Sequence, residues 1–518
     1  MSVTYYVSVA AFLAGLAFLW RRNGIFQSRS RGYPLPPGPR PLPVLGNLFD
    51  MPLHYPWKKF LEWKEPYGDL VYVEALGNRT LCLNSIEAVN DLLVKRASHY
   101  SDRPTLVMVG ELMHLENSTP FLQYGPTLRE HRKLFHAAMG PEISKKYLAA
   151  QKDAVALLIN SILHNPKDFW KETRLMGGRI ILSTIYGIPA MTPVDQLLDE
   201  LDQVMKIAGA GTLPGAHMVD MIPALKYLPS WLPFNNIHKF ANKWRTLVYS
   251  TLDKPYEYVE QQMKQGIDRP SCTAEFIRAY ESESGRLDAK SESLIKWGSA
   301  SLYAPGSETT FGVTLVFIHA MALYPNVQQK IQAEIDNVVG KHRLPTISDR
   351  ANLPYVCAAI KEALRWHPMT PMGLARRTNK DDYYNGYFIP ANTVVLPNVW
   401  AISRDKISGI PPEEFAPERF MTEAQSTDAI DPYLYAFGFS RRECPGRHLA
   451  DNSLFLIISW LVATVSICKS KNADGVEEFV EPSYISALIS YPGPFEVDFK
   501  HRNEELETLI KHYIAEID

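Results

Sequence analysis

Near its C-terminus the chain reads Phe437-Gly438-Phe439-Ser440-Arg441-Arg442-Glu443-Cys444-Pro445-Gly446. The stretch places one cysteine among arginines, glycines and aromatic residues. Cys444 suits a ligand of haem iron, because a thiolate pushes electron density onto the metal and favours O–O cleavage. Arg442 can lower the thiol pKa and pair with a haem propionate, and Gly446 allows the backbone to approach a flat macrocycle. The alternative is an inert core cysteine.

This segment resembles the cysteine-ligand loop of the cytochrome P450 family, which runs Phe, two residues, Gly, one residue, Arg, one residue, Cys, one residue, Gly. Phe437, Arg442, Cys444 and Gly446 match that pattern. Ser440 stands where the family has glycine, a change that costs about 1 kcal/mol if the position requires a left-handed backbone. The resemblance implies that Cys444 is the axial ligand of haem b and that the other three matching residues help to bind the haem.

Two further segments supply charged residues that the resemblance joins. Glu362 and Arg365 are three residues apart, on one face of a helix that Pro368 helps to end. By themselves they predict a surface salt bridge. The segment Phe415-Ala416-Pro417-Glu418-Arg419-Phe420 resembles the family's second arginine element, which implies that Arg419 joins them in a buried structural triad.

Residues 294–324 form a long and mostly apolar stretch, interrupted by Ala304-Pro305-Gly306-Ser307-Glu308-Thr309-Thr310. The stretch predicts a buried central helix rather than a second membrane span, because polar residues cluster at its middle. It resembles the family's oxygen-activating helix. That likeness implies that Thr309 hydrogen-bonds the bound dioxygen and that Glu308 directs proton delivery from bulk water. Pro305 removes one backbone donor, which predicts either a local opening of the helix or a packing kink.

Cations for the haem propionates are expected upstream. Residues 123–133 resemble the helix whose tryptophan and arginine hold a propionate, with Leu128 in place of the tryptophan and Arg132 at the arginine position. Arg376 occupies the place of another propionate-binding residue of the family. The basic stretch also suits a solvated surface.

Length and composition predict one large catalytic domain. The chain has 518 residues, of which 46% are hydrophobic, and no linker or repeat divides it after the N-terminal segment. The resemblance spans nearly the whole chain and implies a mainly α fold, the helical prism with small β-sheets of the family. A formal net charge of −2 gives no electrostatic case for nucleic acid. Five scattered cysteines indicate reduced thiols on the cytosolic side.

Alternating apolar patterns predict short strands near residues 70–74, 79–83, 387–389 and 394–397. Helical patterns dominate residues 86–336. The tail, residues 483–499, predicts a hairpin broken by Pro492-Gly493-Pro494.

Residues 1–20 predict an N-terminal transmembrane anchor, since they are uncharged and apolar and are followed by Arg21-Arg22. The alternative, a cleaved signal peptide, is disfavoured by the bulky residues Phe18, Leu19 and Trp20 at the expected cleavage site. Residues 21–45 predict a basic, proline-rich hinge, and residues 46–518 a haem-thiolate catalytic domain. We therefore expect a single-pass protein of the endoplasmic reticulum membrane with a cytoplasmic catalytic domain. Residues 213–234, including Trp231, are expected to contact the membrane surface.

The expected substrate pocket is apolar and adaptable, which favours a hydrophobic ligand held by shape. By family position its walls comprise Met108, Leu112, Tyr303, Ala304, Met369, Met372, Leu374 and Leu488.

These features predict a monooxygenase that oxidises a hydrophobic small molecule with O2. The resemblance is to fungal microsomal members, which makes a terpenoid or another fungal secondary metabolite the preferred substrate and leaves aromatic, alkaloid and fatty substrates open. Electrons from NADPH would come from a separate NADPH-cytochrome P450 reductase that docks on basic residues such as Arg441 and Lys133. Two alternatives are a haem-thiolate isomerase or dehydratase, which needs no external electrons, and a haem-binding sensor or scaffold without turnover.

Overall fold

The computed structural model describes residues 27–517 except 213–215, 230, 233–235, 282–286, 406–408, 422–428, 472–474 and 478. The predicted anchor and the first part of the predicted hinge lie outside the described residues. Within the described part, no single helix is long and apolar enough to cross a membrane. One pair, Ala289–Leu323 and Pro325–Val338, passes that test only when taken together, and its helices are bent by 107°.

Helices dominate the described chain, as the sequence predicted. The α-helices comprise Pro56–Tyr67, Ile86–Val89, Pro126–Met139, Leu148–His164, Phe169–Tyr186, Asp195–Gly211, Met218–Met221, Ile237–Lys264, Cys272–Tyr280, Ala289–Leu323, Pro325–Val338, Pro354–Trp366, Val399–Ile402, Arg447–Thr464 and Glu504–Ala515.

The longest of them, the central helix Ala289–Leu323, has 35 residues. Asp288 is the N-cap of this helix, and its carboxylate accepts a hydrogen bond from the Ser291 N–H at 2.8 Å. This bond satisfies one backbone donor of the first turn that has no partner within the helix. The helix continues through Pro305 without a break. Its second half is buried on nearly all sides, which explains why the pattern there is apolar rather than amphipathic.

A glycine sets the contact between the central helix and the helix Phe169–Tyr186. A β-carbon added to Gly177 would lie 2.7 Å from the carbonyl oxygen of Ser307, one residue before Glu308. Only glycine allows these two backbones to approach so closely. The contact therefore helps to fix the polar middle of the central helix.

The strands form three small sheets. They comprise β1 Leu70–Ala75, β2 Asn78–Leu83, β3 Arg376–Arg377, β4 Asp382–Tyr384, β5 Tyr387–Ile389, β6 Val394–Pro397, β7 Val465–Lys469 and β8 Val497–His501. The largest sheet has the order β1-β2-β6-β3, in which β2 and β6 are parallel and the other neighbours are antiparallel. The four predicted strands are all present, and β5 and β6 have the predicted bounds.

The predicted tail hairpin is wrong in its second half. The strand β8 pairs with β7 rather than with the preceding segment. The first half does turn back on itself, through an isolated bridge between Tyr484 and Pro492 and a hydrogen bond from the Ile485 N–H to the Tyr491 carbonyl at 3.0 Å. Pro492 has no N–H to donate, and the pairing reaches one residue further, where the Gly493 N–H donates to the Ser483 carbonyl at 2.8 Å.

Candidate active site

One cavity of about 590 Å³ lies beside the central helix. Its walls come from the cysteine loop, from the helix Pro126–Met139 and from tail residues 485–491. The lining is predominantly apolar, and the volume is within the range of sites for small molecules and cofactors. Sequence segments that are far apart in the chain therefore meet around one internal space.

The cysteine loop forms one wall of this cavity. The Cys444 N–H donates to the Phe437 carbonyl at 2.7 Å, and a short turn, Ser440–Arg442, lies between them. Gly438 has a φ of 77° and Ser440 a φ of 50°, so both residues are left-handed. Ser440 thus meets the condition under which the departure from glycine is expected to cost stability.

Cys444 is exposed, but its exposed surface faces the cavity. Burial raises the pKa of its thiol, while the backbone N–H of Gly446 and the charges of Arg132 and Arg447 lower it. The sequence predicted that Arg442 would lower this pKa, but Arg132 and Arg447 do so instead. The Arg442 guanidinium donates to the Ser101 carbonyl at 2.7 Å. A β-carbon added to Gly446 would have no protein atom closer than 3.7 Å, so the protein itself leaves room on the cavity side of this residue.

Four arginines line the same cavity: Arg103, Arg132, Arg376 and Arg442. Their guanidinium groups donate to backbone carbonyls, for example Arg376 to Phe439 at 2.6 Å and Arg132 to Glu443 at 2.8 Å. Among the described residues, none of the four forms an ion pair with a carboxylate. Their N–H groups are thus satisfied by carbonyl oxygens, which do not neutralise the positive charge.

The arginine cluster is electrostatically strained. Burial and the charge of Arg442 lower the pKa of Arg376 to about 9. Burial lowers the pKa of Arg442 to about 10, while the charge of Asp102 raises it and the charge of Arg132 lowers it. For Arg103 the pKa is also well below its usual value, through burial and through the charges of Arg442 and Arg376. Such a cluster is stabilised by a dianionic ligand, and the two propionates of haem fit that requirement.

Arg103 is a residue that sequence reasoning missed. It is buried, and it donates to the carbonyl oxygens of Leu374 at 2.9 Å and Ala375 at 2.6 Å. Its Nε has no partner in the described structure. A single arginine in Ser101-Asp102-Arg103-Pro104 carries no recognisable pattern, so only its three-dimensional position reveals it.

Glu308 and Thr309 also line the cavity. The Tyr491 hydroxyl donates to Glu308 Oε1 at 3.2 Å, and Thr309 Oγ1 donates to the Pro305 carbonyl at 2.9 Å. Burial raises the pKa of Glu308 to about 7, against a lowering by the Tyr491 hydrogen bond. An acid with this pKa can both give and accept a proton near neutral pH. Tyr491 is a second residue that the sequence did not indicate.

The structure brings Glu362, Arg365 and Arg419 together. Glu362 accepts from Arg365 at 2.6 and 2.8 Å and from Arg419 at 3.2 Å. The side chains are almost fully buried, with exposed fractions of 1% or less. The pair that looked like a surface salt bridge in isolation is thus part of a buried network.

The residues expected in the substrate pocket separate into two groups. Those that line the cavity are Tyr303, Ala304, Met369, Leu374 and Leu488. Met108, Leu112 and Met372 are not among its lining residues. Met108 and Leu112 lie in the π-helical turn Val107–Leu112 and pack in a satellite core with Val204 and Val248, whereas Met372 packs near Phe60.

The wall of the cavity also contains apolar residues that the sequence did not indicate. Some of them lie in the helices Asp195–Gly211 and Ile237–Lys264, where a helical pattern alone does not distinguish core from cavity. Examples are Leu115, Phe121, Leu201, Val204, Leu252 and Trp297.

The cysteine loop, the cavity and the arginine cluster define the class of this protein: a helical protein whose site fits haem bound through a cysteine. A sequence profile described as "Cytochrome P450" matches residues 36–484. The chain belongs to the cytochrome P450 family and is an oxidoreductase, a cytochrome P450 monooxygenase. Membership implies haem, O2 and electrons from a reductase.

Full-length relatives support this conclusion. The chain is 38% identical over 504 residues to Cytochrome P450 monooxygenase 208 of Postia placenta, covering 97% of this chain and 96% of the relative. It is 36% identical over 508 residues to Cytochrome P450 monooxygenase COX2 of Coprinopsis cinerea, covering 98% and 96%. It is also 36% identical over 507 residues to Cytochrome P450 monooxygenase claR of Ampulloclitocybe clavipes, covering 97% and 91%.

Proposed function

We propose that this chain is a haem-thiolate monooxygenase that hydroxylates or otherwise oxidises a hydrophobic small molecule. The observation that carries the proposal is that the Cys444 thiol and the Glu308-Thr309 pair line one apolar cavity. A thiolate ligand favours O–O cleavage, and a positioned acid assists the proton transfer that accompanies it. An isomerase or a dehydratase with the same cysteine would not need the acid.

The residues of the cavity fit haem b. Cys444 would bind the iron, and Arg103, Arg132, Arg376 and Arg442 would pair with the propionates. Phe437 and Gly446 form part of the wall that would contact the macrocycle. When bound, haem supplies the activation of O2 and the oxidising power that the side chains lack.

Glu308 and Thr309 would deliver protons. With a pKa of about 7, the Glu308 carboxyl is about half protonated at neutral pH and can be reprotonated from water after it releases a proton. The Thr309 hydroxyl donates to the Pro305 carbonyl, and rotation about χ1 would redirect it toward the cavity. The buried triad of Glu362, Arg365 and Arg419 would have a structural role beside the cysteine loop.

The substrate would be selected by shape in an apolar pocket. Tyr303, Ala304, Met369, Leu374 and Leu488 contribute side chains of different size, and Met369 can adapt to a ligand. A terpenoid or another fungal secondary metabolite is the preferred class. Such a ligand partitions into membranes, which suits an enzyme of the endoplasmic reticulum.

We further propose that residues 1–20 anchor the protein in that membrane, that residues 21–45 form the hinge and that residues 46–518 form the catalytic domain on the cytoplasmic side. Trp231 is 77% exposed, which suits contact with the membrane surface. Electrons would come from NADPH through NADPH-cytochrome P450 reductase. Lys133 is exposed and Arg441 half-buried, and both would meet acidic residues of that partner.

A reduced carbon monoxide difference spectrum tests the central proposal. Membranes that contain the wild-type chain should show the red-shifted Soret band of a thiolate-ligated carbonyl complex, and Cys444→Ser should lose it. A histidine-type band, or no haem in folded protein, would reject the thiolate assignment.

Turnover assays separate the alternatives. Terpenoids incubated with the membranes, NADPH and reductase should give oxygenated products, and fatty acids of equal size serve as the comparison. Product formed without NADPH would favour an isomerase. NADPH consumption with no product from any substrate would favour a sensor or scaffold.

A further inference from the structure

The carboxylate that would deliver protons has one hydrogen-bond partner among the described side chains. The Tyr491 hydroxyl donates to Glu308 Oε1 at 3.2 Å. Thr309, next in the chain, donates to the Pro305 carbonyl instead and does not hold the carboxylate. Burial raises the pKa of Tyr491 above its usual value, so the phenol keeps its proton and acts as the donor.

The tail turn holds Tyr491 in place. The Tyr491 carbonyl accepts a hydrogen bond from the Ile485 N–H at 3.0 Å, and the N–H of the preceding residue, Ser490, donates to the Met369 carbonyl at 2.8 Å. The Tyr491 ring packs edge-on against Phe311 with 5.2 Å between the ring centroids. Backbone and ring are therefore both restrained, and the hydroxyl has little freedom to move away.

The central helix is shaped to receive this ring. A β-carbon added to Gly312 would lie 3.1 Å from the Tyr491 Cβ and 2.6 Å from the Met369 Sδ. Gly312 is one turn beyond Glu308, so the glycine gives the tyrosine a path across the helix surface toward the carboxylate. An ordinary side chain at this position would push the tail outward.

We propose that Tyr491 is a positioning residue that holds the Glu308 carboxylate in one orientation beside Thr309 and favours its ionised form. The inference rests on the proposed function, because it assigns Tyr491 to the same proton-delivery site. The hydrogen bond stabilises the anion, whereas burial favours the neutral acid, and the balance keeps Glu308 close to half ionised at neutral pH.

Other charged groups act on Glu308 from neighbouring helices, but among the described residues none of them forms a hydrogen bond or ion pair with it. The helix Asp195–Gly211 contributes Asp202, which raises the pKa of Glu308, and Lys206, which lowers it. The helix Phe169–Tyr186 contributes Arg174, which also lowers the pKa and is paired with Asp202 at 2.7 Å. These longer-range effects on the Glu308 pKa partly cancel, so the hydrogen bond from Tyr491 is the interaction that fixes the orientation of the carboxylate.

The experiment is an infrared titration of the haem-loaded, full-length chain in detergent. The band of the protonated Glu308 carboxyl is the one that Glu308→Gln removes, and its midpoint in the wild type should be near pH 7. Tyr491→Phe should raise the midpoint by about one pH unit, because a hydrogen bond to the ionised form is lost. At pH 7 the protonated fraction would then increase from about half to about nine tenths.

Tyr484→Phe is the matched control. It removes a hydroxyl from the same tail, but that hydroxyl pairs with His319 Nδ1 at 3.0 Å and not with Glu308. The control should leave the midpoint unchanged. An unchanged or lower midpoint in Tyr491→Phe, or an equal shift in Tyr484→Phe, would overturn the proposal.

A second measurement applies if Tyr491→Phe fails to bind haem. In wild-type chain with isotopically labelled tyrosine rings, the C–O stretch of one tyrosine should shift as the pH crosses the Glu308 midpoint, and the shift should be lost in Glu308→Gln. A tyrosine signal that ignores this titration would overturn the proposal. The carbon monoxide spectrum and product formation are measured separately. If these infrared shifts are seen but no oxygenated product forms, the proposed function is rejected while the contact between Tyr491 and Glu308 is retained.

Discussion

Removal of the Glu362 carboxylate tests whether the buried network stabilises the fold beside the cysteine loop. Glu362→Gln preserves the shape of the side chain but removes its charge. The carboxylate accepts two bonds from Arg365, one from Arg419 and one from the Ala416 N–H. A single amide oxygen cannot replace both carboxylate oxygens, and two buried guanidinium groups would lose this counter-charge.

The expected loss in the free energy of unfolding is about 3–5 kcal/mol, because breaking a buried ion pair leaves uncompensated charge in a medium that solvates it poorly. Both arginines also donate to backbone carbonyls, such as Arg365 to Pro412 at 2.9 Å and Arg419 to Ile410 at 2.7 Å. Those bonds satisfy donors without neutralising charge, so they place the expected loss toward the lower end of the range.

The chain offers a matched control in Glu62→Gln. Glu62 pairs with Lys59 at 2.9 Å with the same spacing of three residues, but the side chains are 65% and 43% exposed. An exposed pair is worth about 0–1 kcal/mol, so this variant should be nearly neutral. Both variants are compared by urea unfolding of the detergent-solubilised chain, followed by tryptophan fluorescence and by loss of the carbon monoxide band. Equal destabilisation by the two changes would refute the reasoning from burial.

Three further predictions follow from single positions. Ser440→Gly should raise the free energy of unfolding by about 1 kcal/mol in the same urea assay, because Ser440 has a φ of 50°; a loss of stability would contradict the strain argument. Gly177→Ala should lower thermal stability and haem retention, because the added β-carbon would lie 2.7 Å from the Ser307 carbonyl oxygen. Gly209→Ala is the control: its β-carbon would have no heavy atom within 4 Å, so this variant should be neutral or stabilising. Burial raises the Glu308 pKa from 4.5 to about 7, so the free energy of unfolding of the wild type should decrease, relative to that of Glu308→Gln, as the pH rises from 4.5 to 7. Parallel curves of stability against pH for the two proteins would argue against this titration.

The sequence predicted the elements that local patterns encode. The bounds of β5 and β6 follow from short alternating runs between turn residues, and the central helix follows from the length of its apolar stretch. The tail was harder, because β7, the partner of β8, lies on the other side of the turn that contains Pro492. Strand pairing depends on which edges meet, and a single segment does not carry that information.

The site shows the same division. Cys444, Glu308 and Arg132 occupy recognisable motifs, so the sequence alone nominated them and the family to which the chain belongs. Arg103 and Tyr491 have no motif around them, and Met108 and Leu112, which family position assigned to the pocket, lie in the turn Val107–Leu112 and pack in a satellite core.

The sequence by itself therefore determined the family, the cysteine loop, the central helix and four of the strands, because these depend on residue type and spacing along the chain. Only the tertiary structure decided that four arginines share a cavity with no carboxylate ion-paired to them among the described residues, that the Glu362 pair is buried and that Tyr491 reaches Glu308. Burial and electrostatic coupling act between residues that are close in space. Their strength depends on distances and solvent exposure that no local pattern records.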